Sequence, residues 1–417
     1  MNRDDNQLNM LVPRSLQPKL DYLHREVEQA AGRPLSRRQA LGLGGMALLA
    51  GAVGCSTSTG TGSGVIPTNG AARASVNPLT SKPLEGHLEV YTWSEYSDPS
   101  TFTKFTKLPA EVKAGLTLHQ TFYSSNDELL AKLHAGGTSY DIIVPSQNAV
   151  AELIQENSLL PLDKALLPNL KYLDPAFLKP SYDPTGDYHV IKDFGITMFF
   201  FNNKIVTEEI KTMHDFYMAL PKYVGKGRTN LLDGAEEVVP LALMALGLDP
   251  NTTSQSDFNQ VKSFLLSIRK GVTTIDASAY IDDAIAGKII LGQGWNGDIR
   301  RIVQGRAKQG DMTGIIPTAA SEIWADNWCI PASAPHPVAA HAWINWLLTP
   351  STAVTEMNYH NYKIPMPTAL DQLSADLKND PLFNVPKTYT DNYHYILNVS
   401  PQVVEARTQI YSEFKAA

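Results

Sequence analysis

Tyr140-Asp141-Ile142-Ile143-Val144-Pro145-Ser146 carries three consecutive β-branched aliphatic residues, closed by a proline and a serine. A continuous apolar run of this kind reads as a strand covered on both faces, the habit of parallel sheets. On its upstream side, Asn126 to His134 puts Leu129, Leu130 and Leu133 on one face, with Asp127 and Glu128 near the start and Gly136-Gly137 after the end. That pattern predicts a helix. Ala149–Glu156 predicts a second helix on the downstream side. Further upstream, Leu88-Glu89-Val90-Tyr91-Thr92 alternates and predicts a strand running into Trp93-Ser94-Glu95-Tyr96. The same rhythm continues with strands at Met198–Phe201, Ile289–Leu291 and Trp328-Cys329-Ile330, and helices at Glu236–Leu246, Phe258–Arg269 and Pro337–Leu348. Strand and helix in alternation predict an α/β protein with largely parallel sheets. In such sheets ligands gather beyond the carboxyl ends of strands. Trp93 and Ser146 stand at such ends and are candidates on that ground alone.

The chain has 417 residues, 43% of them hydrophobic, enough for two or three domain-sized units with a large core. It carries 35 basic and 42 acidic side chains; seven and five of these lie in residues 1–54, leaving 28 and 37 beyond, a net charge of −9. An acidic body argues against nucleic acid as a partner and tolerates a cationic one. The two cysteines, Cys55 and Cys329, form no disulfide framework and no metal-spaced pair. Cys329 reads as a small buried hydrophobe.

Residues 1–54 read as a signal for export. Ser36-Arg37-Arg38-Gln39-Ala40-Leu41 opens an uncharged run from Ala40 to Gly54, too short and too rich in Gly and Ala to span a bilayer permanently. The paired arginines resemble a twin-arginine signal. Ala52-Val53-Gly54-Cys55 resembles a lipobox, whose cysteine carries the lipid. Gly42-Leu43-Gly44-Gly45-Met46-Ala47 matches a dinucleotide fingerprint by chance, since no strand precedes it and no acid follows at the required distance. Ser56 to Pro83 is rich in Ser, Thr, Gly, Pro and Asn, so residues 55–84 are expected to be a flexible tether. Its 28 residues from Ser56 on would span roughly 30 Å as a coil.

Four segments hold the chemistry: Trp93-Ser94-Glu95-Tyr96, Asp233-Gly234-Ala235-Glu236, Gly294-Trp295-Asn296-Gly297 and Trp324-Ala325-Asp326. Trp295 and Trp324 have Gly, Asn and Asp as neighbours, where a core aromatic usually keeps apolar ones in period. Asp233 and Glu236 lie three apart at an expected helix start, where the helix dipole favours anions. Aromatic faces with carboxylates suit a solute that alternates ammonium groups with methylenes, because rings pack against CH2 and attract cations.

These segments occur in the order and spacing of a known family. From about Leu88 to Lys415 the chain resembles the spermidine/putrescine-binding proteins of ABC importers. The resemblance rests on Val90–Tyr96, Ser124-Ser125-Asn126-Asp127-Glu128, Tyr140–Ser146, Leu173-Asp174-Pro175 and Asp183-Pro184-Thr185-Gly186-Asp187-Tyr188. It continues through Asp233…Glu236, Trp295-Asn296-Gly297, Trp324-Ala325-Asp326, Ile330-Pro331-Ala332 and Asn345-Trp346-Leu347-Leu348. It implies a type II periplasmic-binding-protein fold of two α/β lobes joined by a hinge with crossing segments: 85–197 plus 325–370, and 198–324 plus 371–417. It also implies that Trp93, Tyr96, Trp295 and Trp324 form an aromatic box. Glu95, Asp233, Glu236 and Asp326 would contribute carboxylates, and Ser146 a hydroxyl. The partners implied are a polyamine, the transmembrane subunits of an ABC permease, and the membrane through a lipid on Cys55. A monomer without cofactor or metal is expected.

Asn148 stands where the family commonly has an aromatic residue. Tyr362, beside Lys363-Ile364-Pro365-Met366-Pro367, and Gln402 are displaced from family positions, so neither is assigned a contact. The chain has no GxSxG elbow, HExxH, P-loop or cysteine metal site, and its ten histidines are scattered. The competing expectations are the same fold holding an iron complex, thiamine derivative, amino acid or opine, and a hydrolase working through paired carboxylates. Anionic solutes would call for arginine in the four segments, which contain none.

Overall fold

The computed structural model describes residues 79–136 and 139–417. The export signal of residues 1–54, Cys55, the tether as far as residue 78, and Gly137 lie outside the described residues. Residues 79–84, expected to belong to the tether, are instead docked on the body. Leu79 is buried, its backbone N–H donates to Asp163 Oδ2 at 3.1 Å, and Leu84 packs against the first core.

The first sheet is parallel throughout, with strand order β2 (Thr117–Tyr123), β1 (His87–Trp93), β3 (Ile142–Ile143). Its core holds Leu88, Val90, Ile142 and Val144 against Trp343 and Ile344 of the helix Pro337–Leu347. Around β3 the flanking helices form as their sequences require. Asn126–Ala135 is capped by the Ser125 hydroxyl, which accepts from Glu128 N, and it ends at Gly136 with φ +64°. Gln147–Gln155 begins at Ser146.

The second sheet departs from the expected parallel arrangement. Its order is β6 (Thr274–Ile275), β5 (Arg228–Leu231), β7 (Ile289–Trp295), β4 (Val190–Asn202), β8 (Met312–Ile315); β5, β6 and β7 run parallel, but β4 runs antiparallel to β7 and β8. The reason is β4 itself. Read as four residues, it extends over thirteen. Its first half pairs with β9 (Ile323–Trp328) and its second half with β7 and β8, so it crosses from the first lobe into the second. The return strand β9 meets the first lobe through bridges at Ile143–Cys329 and Ser146–Asp326. Phe199, Phe216, Val239, Leu265 and Phe414 centre the second core. Leu373, Leu377 and Phe383, expected in the second lobe, pack in the first core because the helix Ala375–Asn379 lies there. Cys329 is buried and free, as an interior hydrophobe would be.

Gly195 marks the crossing. A Cβ there would lie 2.2 Å from Asn296 Oδ1 and 2.4 Å from the Trp324 ring, so glycine leaves room for the Asn296 amide and the indole that lies across it. Among the described residues no helix is long and apolar enough to cross a membrane.

Candidate functional site

A cleft of about 870 Å³ opens where the carboxyl ends of β1 and β7 face β9. Trp93, Glu95, Tyr96, Ser146, Glu236, Trp295, Trp324 and Asp326 all line it. Asp233, the ninth candidate, does not. Its carboxylate accepts from the Tyr411 hydroxyl and lies 3.4 Å from Lys415 Nζ, on the C-terminal helix. The preceding Gly234 has φ +124°, and the chain turns there so that Glu236, not Asp233, reaches the cleft.

The aromatic walls come from strand ends. Trp93 closes β1 and donates its indole N–H to Val144 O at 2.9 Å; its ring centroid is 6.2 Å from that of Trp295, which closes β7. Tyr123 sits opposite Trp93 in the parallel register and 4.7 Å from it ring to ring. Trp324 packs edge-on to Tyr362 at 5.1 Å.

Beneath these rings runs a buried polar chain. A β-bulge between Ile191 and Asp193 turns Lys192 toward the site. Its Nζ donates to Asp193 Oδ2 at 2.7 Å and rests 3.3 Å from the centroid of the Tyr96 ring. The Tyr96 hydroxyl meets both Asp193 and Asp326, the latter at 2.8 Å. One phenolic proton cannot serve two carboxylates. One of the two carboxyls therefore carries a second proton; burial raises Asp193 against the opposing pull of Lys192. Burial first, then the charge of Asp193, push Asp326 up to about 7. Ser146 Oγ donates to Asp326 Oδ1 at 2.6 Å and accepts from Asn126 Nδ2 at 3.0 Å.

The lining contains six carboxylates (Glu95, Glu236, Glu237, Asp298, Glu322 and Asp326) and one cationic side chain, Arg301. Two of the six have a cation in hand. Glu95 accepts from Arg301 Nη2 at 2.7 Å, and Glu236 is bound by Arg407 Nη1 at 3.1 Å. Glu322 accepts from the Thr197 hydroxyl at 2.6 Å and is pushed up to about 7, chiefly by burial. Asp298 accepts from the Tyr280 hydroxyl at 2.7 Å and is raised by burial. Glu237 is raised well above its ordinary value, by burial and then by Glu322, Glu236 and Asp326, and its buried Oε2 has no hydrogen-bond partner among the described residues. Buried carboxyls in this state hold protons unless a cation arrives.

Several lining residues escaped the sequence reading. Glu322 was detectable: it immediately precedes β9 and alternates with Trp324 and Asp326, which places the three on one side of the extended chain. Asp298 and Arg301 follow Trp295 three residues apart on the helix Asn296–Gly305. Tyr362 lines the cleft although its displacement kept it from being assigned. Glu237 gave no signal distinguishing it from an ordinary first-turn helix acid.

Fold and cleft together define a type II solute-binding protein of two α/β lobes. Residues 101–385 match the bacterial extracellular solute-binding proteins, and the chain belongs to that family. It is 30% identical over 331 residues to spermidine/putrescine-binding periplasmic protein 1 of Haemophilus influenzae, covering 79% of this chain and 88% of that protein. It is 27% identical over 343 residues to the putrescine-binding periplasmic protein PotF of Escherichia coli, with coverage of 79% and 91%. The solved structure of the spermidine/putrescine ABC transporter substrate-binding protein PotD from Streptococcus pneumoniae superposes with a TM-score of 0.64 at 25% identity, covering 80% of this chain and 99% of that one.

Proposed function

We propose that this protein captures a polyamine in the cleft between its lobes and delivers it to an ABC permease, without catalysing a reaction. The observation that carries this reading is the set of buried acids Glu237, Glu322 and Asp326, which have no paired cation among the described residues and line the cleft with Trp93, Trp295 and Trp324. Ammonium groups would replace the protons on those acids, and methylenes would lie against the indoles. The names of the Haemophilus and Escherichia relatives point to the same ligand class. Glu95 occupies Arg301, which leaves no free guanidinium in the lining for an anionic solute.

Ligand contacts are assigned to Trp93, Tyr96, Ser146, Glu236, Glu237, Trp295, Glu322, Trp324 and Asp326. Asp233 is left out. The first lobe is taken as 85–197 with 325–383, the second as 198–324 with the remainder. Export through the twin-arginine-like signal and lipid attachment at Cys55 would hold the body at the outer face of the membrane as a monomer.

Calorimetric titration of the purified protein with putrescine, cadaverine and spermidine, alongside 4-aminobutyrate, an opine and ferric citrate, tests the assignment. One-to-one binding restricted to the amines is expected. Tight binding of an anionic or ferric solute with silent amines would overturn it.

A further inference from the structure

A second cluster of ligating side chains lies at the opposite end of β1 from the cleft. His87 and Glu89 are two residues apart on β1 and share one face. His119 is the cross-strand partner of Glu89 in the parallel pairing with β2, so it points to the same face. His87 Nε2 lies 2.7 Å from Glu89 Oε1, and His119 Nδ1 lies 3.1 Å from that same oxygen. All three donor atoms fall within 4.8 Å of one another. His87 and Trp93 are six residues apart, about 20 Å at a strand's rise, so this cluster is separate from the cleft.

Thr117 Oγ1 lies 2.8 Å from His87 Nδ1, in place to accept from Nδ1–H when Nε2 holds a metal. The Thr117 contact is the kind of outer hydrogen bond that fixes a ligating imidazole.

We propose that His87, Glu89 and His119 form a binding site for a divalent transition metal of the zinc class. Two imidazoles and one carboxylate supply three ligands, and the fourth position faces solvent beside His119, whose side chain is 65% exposed. Ligand atoms around tetrahedral zinc are about 3.3 Å apart, given bonds of about 2.0–2.1 Å, close to the 2.7 and 3.1 Å that separate the two imidazoles from the Glu89 oxygen. Because the three ligands sit on two hydrogen-bonded strands, the geometry is set by the sheet rather than by a loop. Metal would clamp the edge strand β2 to β1 and stabilise the first lobe by mass action. The other such cluster among the described residues, His134, Glu152 and Glu156, offers a single imidazole and is the weaker candidate.

The test is calorimetric titration of the full chain with zinc chloride, repeated on His119→Ala, Glu89→Gln and Thr117→Val. Melting curves and spermidine titrations are run on the same samples. One equivalent of zinc should bind to the wild type and raise its Tm. His119→Ala and Glu89→Gln should lose that equivalent, while Thr117→Val should weaken it by about tenfold to a hundredfold. Spermidine binding should persist in all three variants, showing an intact fold. Absence of zinc binding in the wild type, or equal binding in His119→Ala, would overturn the proposal.

Discussion

Glu95 Oε2 accepts a hydrogen bond from Arg301 Nη2 at 2.7 Å, tying the loop after β1 in the first lobe to the helix after β7 in the second. Glu95 holds a left-handed backbone with φ +53°, uncommon for a residue other than glycine, and its carboxylate reaches over the mouth of the cleft. The pair has two effects on a cationic solute: it links the lobes, and it neutralises an arginine that would repel the ligand.

Glu95→Gln separates those effects from each other. It leaves Arg301 uncompensated in the lining, so polyamine affinity should fall by about fivefold at low salt, and less at high salt. Arg301→Met removes the link but frees the Glu95 carboxylate, so affinity for a cation should hold or rise. Calorimetry at two ionic strengths reads both. Wild-type affinity in Glu95→Gln would show that the pair lies outside the ligand's field.

Asp326→Asn keeps the shape of the residue that meets Ser146 and Tyr96 but removes its charge. Loss of one partner of a desolvated ion pair should weaken polyamine binding by about 2–5 kcal/mol. The ligand-free protein should be at least as stable at pH 8, because the substitution relieves the repulsion from Asp193. Thermal denaturation and titration of the same sample check the two halves. A stability loss with unchanged affinity would contradict both.

Asp233→Asn and Glu237→Gln form a contrasting pair. Asp233 bonds Tyr411 outside the cleft, so its substitution should leave affinity within about twofold, with a stability change near 0.5 kcal/mol. Glu237 has an unpartnered buried oxygen in the lining, and its substitution should weaken binding at least tenfold. The reverse ranking would restore Asp233 to the site and remove Glu237.

The pH dependence follows from the raised acids. Glu322 and Asp326, at about 7, lie above the usual carboxylate range, and Glu237 is displaced the same way. Groups raised in the folded state contribute stability that is fully present below the ordinary carboxylate range and is lost as pH climbs to about 7. The ligand-free Tm should therefore fall between pH 5 and pH 7.5 from this source. Polyamine binding to the ionised acids would release protons, so both affinity and the ligand-induced rise in Tm should grow over that window. Titrations in two buffers of different ionisation enthalpy measure the protons released. Zero protons at pH 6.5 would contradict the assignment.

In the first lobe β1, β3 and the helix Asn126–Ala135 were readable, from apolar positions that end at Trp93 or Pro145 and from the Ser125 cap, whereas β2 carries Thr117, His119, Gln120 and Thr121 and shows no apolar run. The mixed second sheet was not readable. Direction in β4 is set by its entry from the first lobe, a relation between distant segments that no local period encodes. Ring positions in the cleft were readable because strand ends and unusual neighbours mark Trp93, Trp295 and Trp324. The acids were less so. Asp233 and Glu237 flank one helix start, and the turn at Gly234 decides which of them faces the cleft. Lys192 drew no notice, because its approach to Tyr96 depends on a bulge that shifts a single register.

The most direct test is a crystal structure of the protein grown with spermidine. Ligand nitrogens are expected within about 4 Å of the carboxylates of Glu237 and Asp326, ion-pair range, with the methylenes between the rings of Trp93, Trp295 and Trp324. A cleft holding the amine against Asp233 and Lys415, or holding no amine while the protein binds it elsewhere, would contradict that placement.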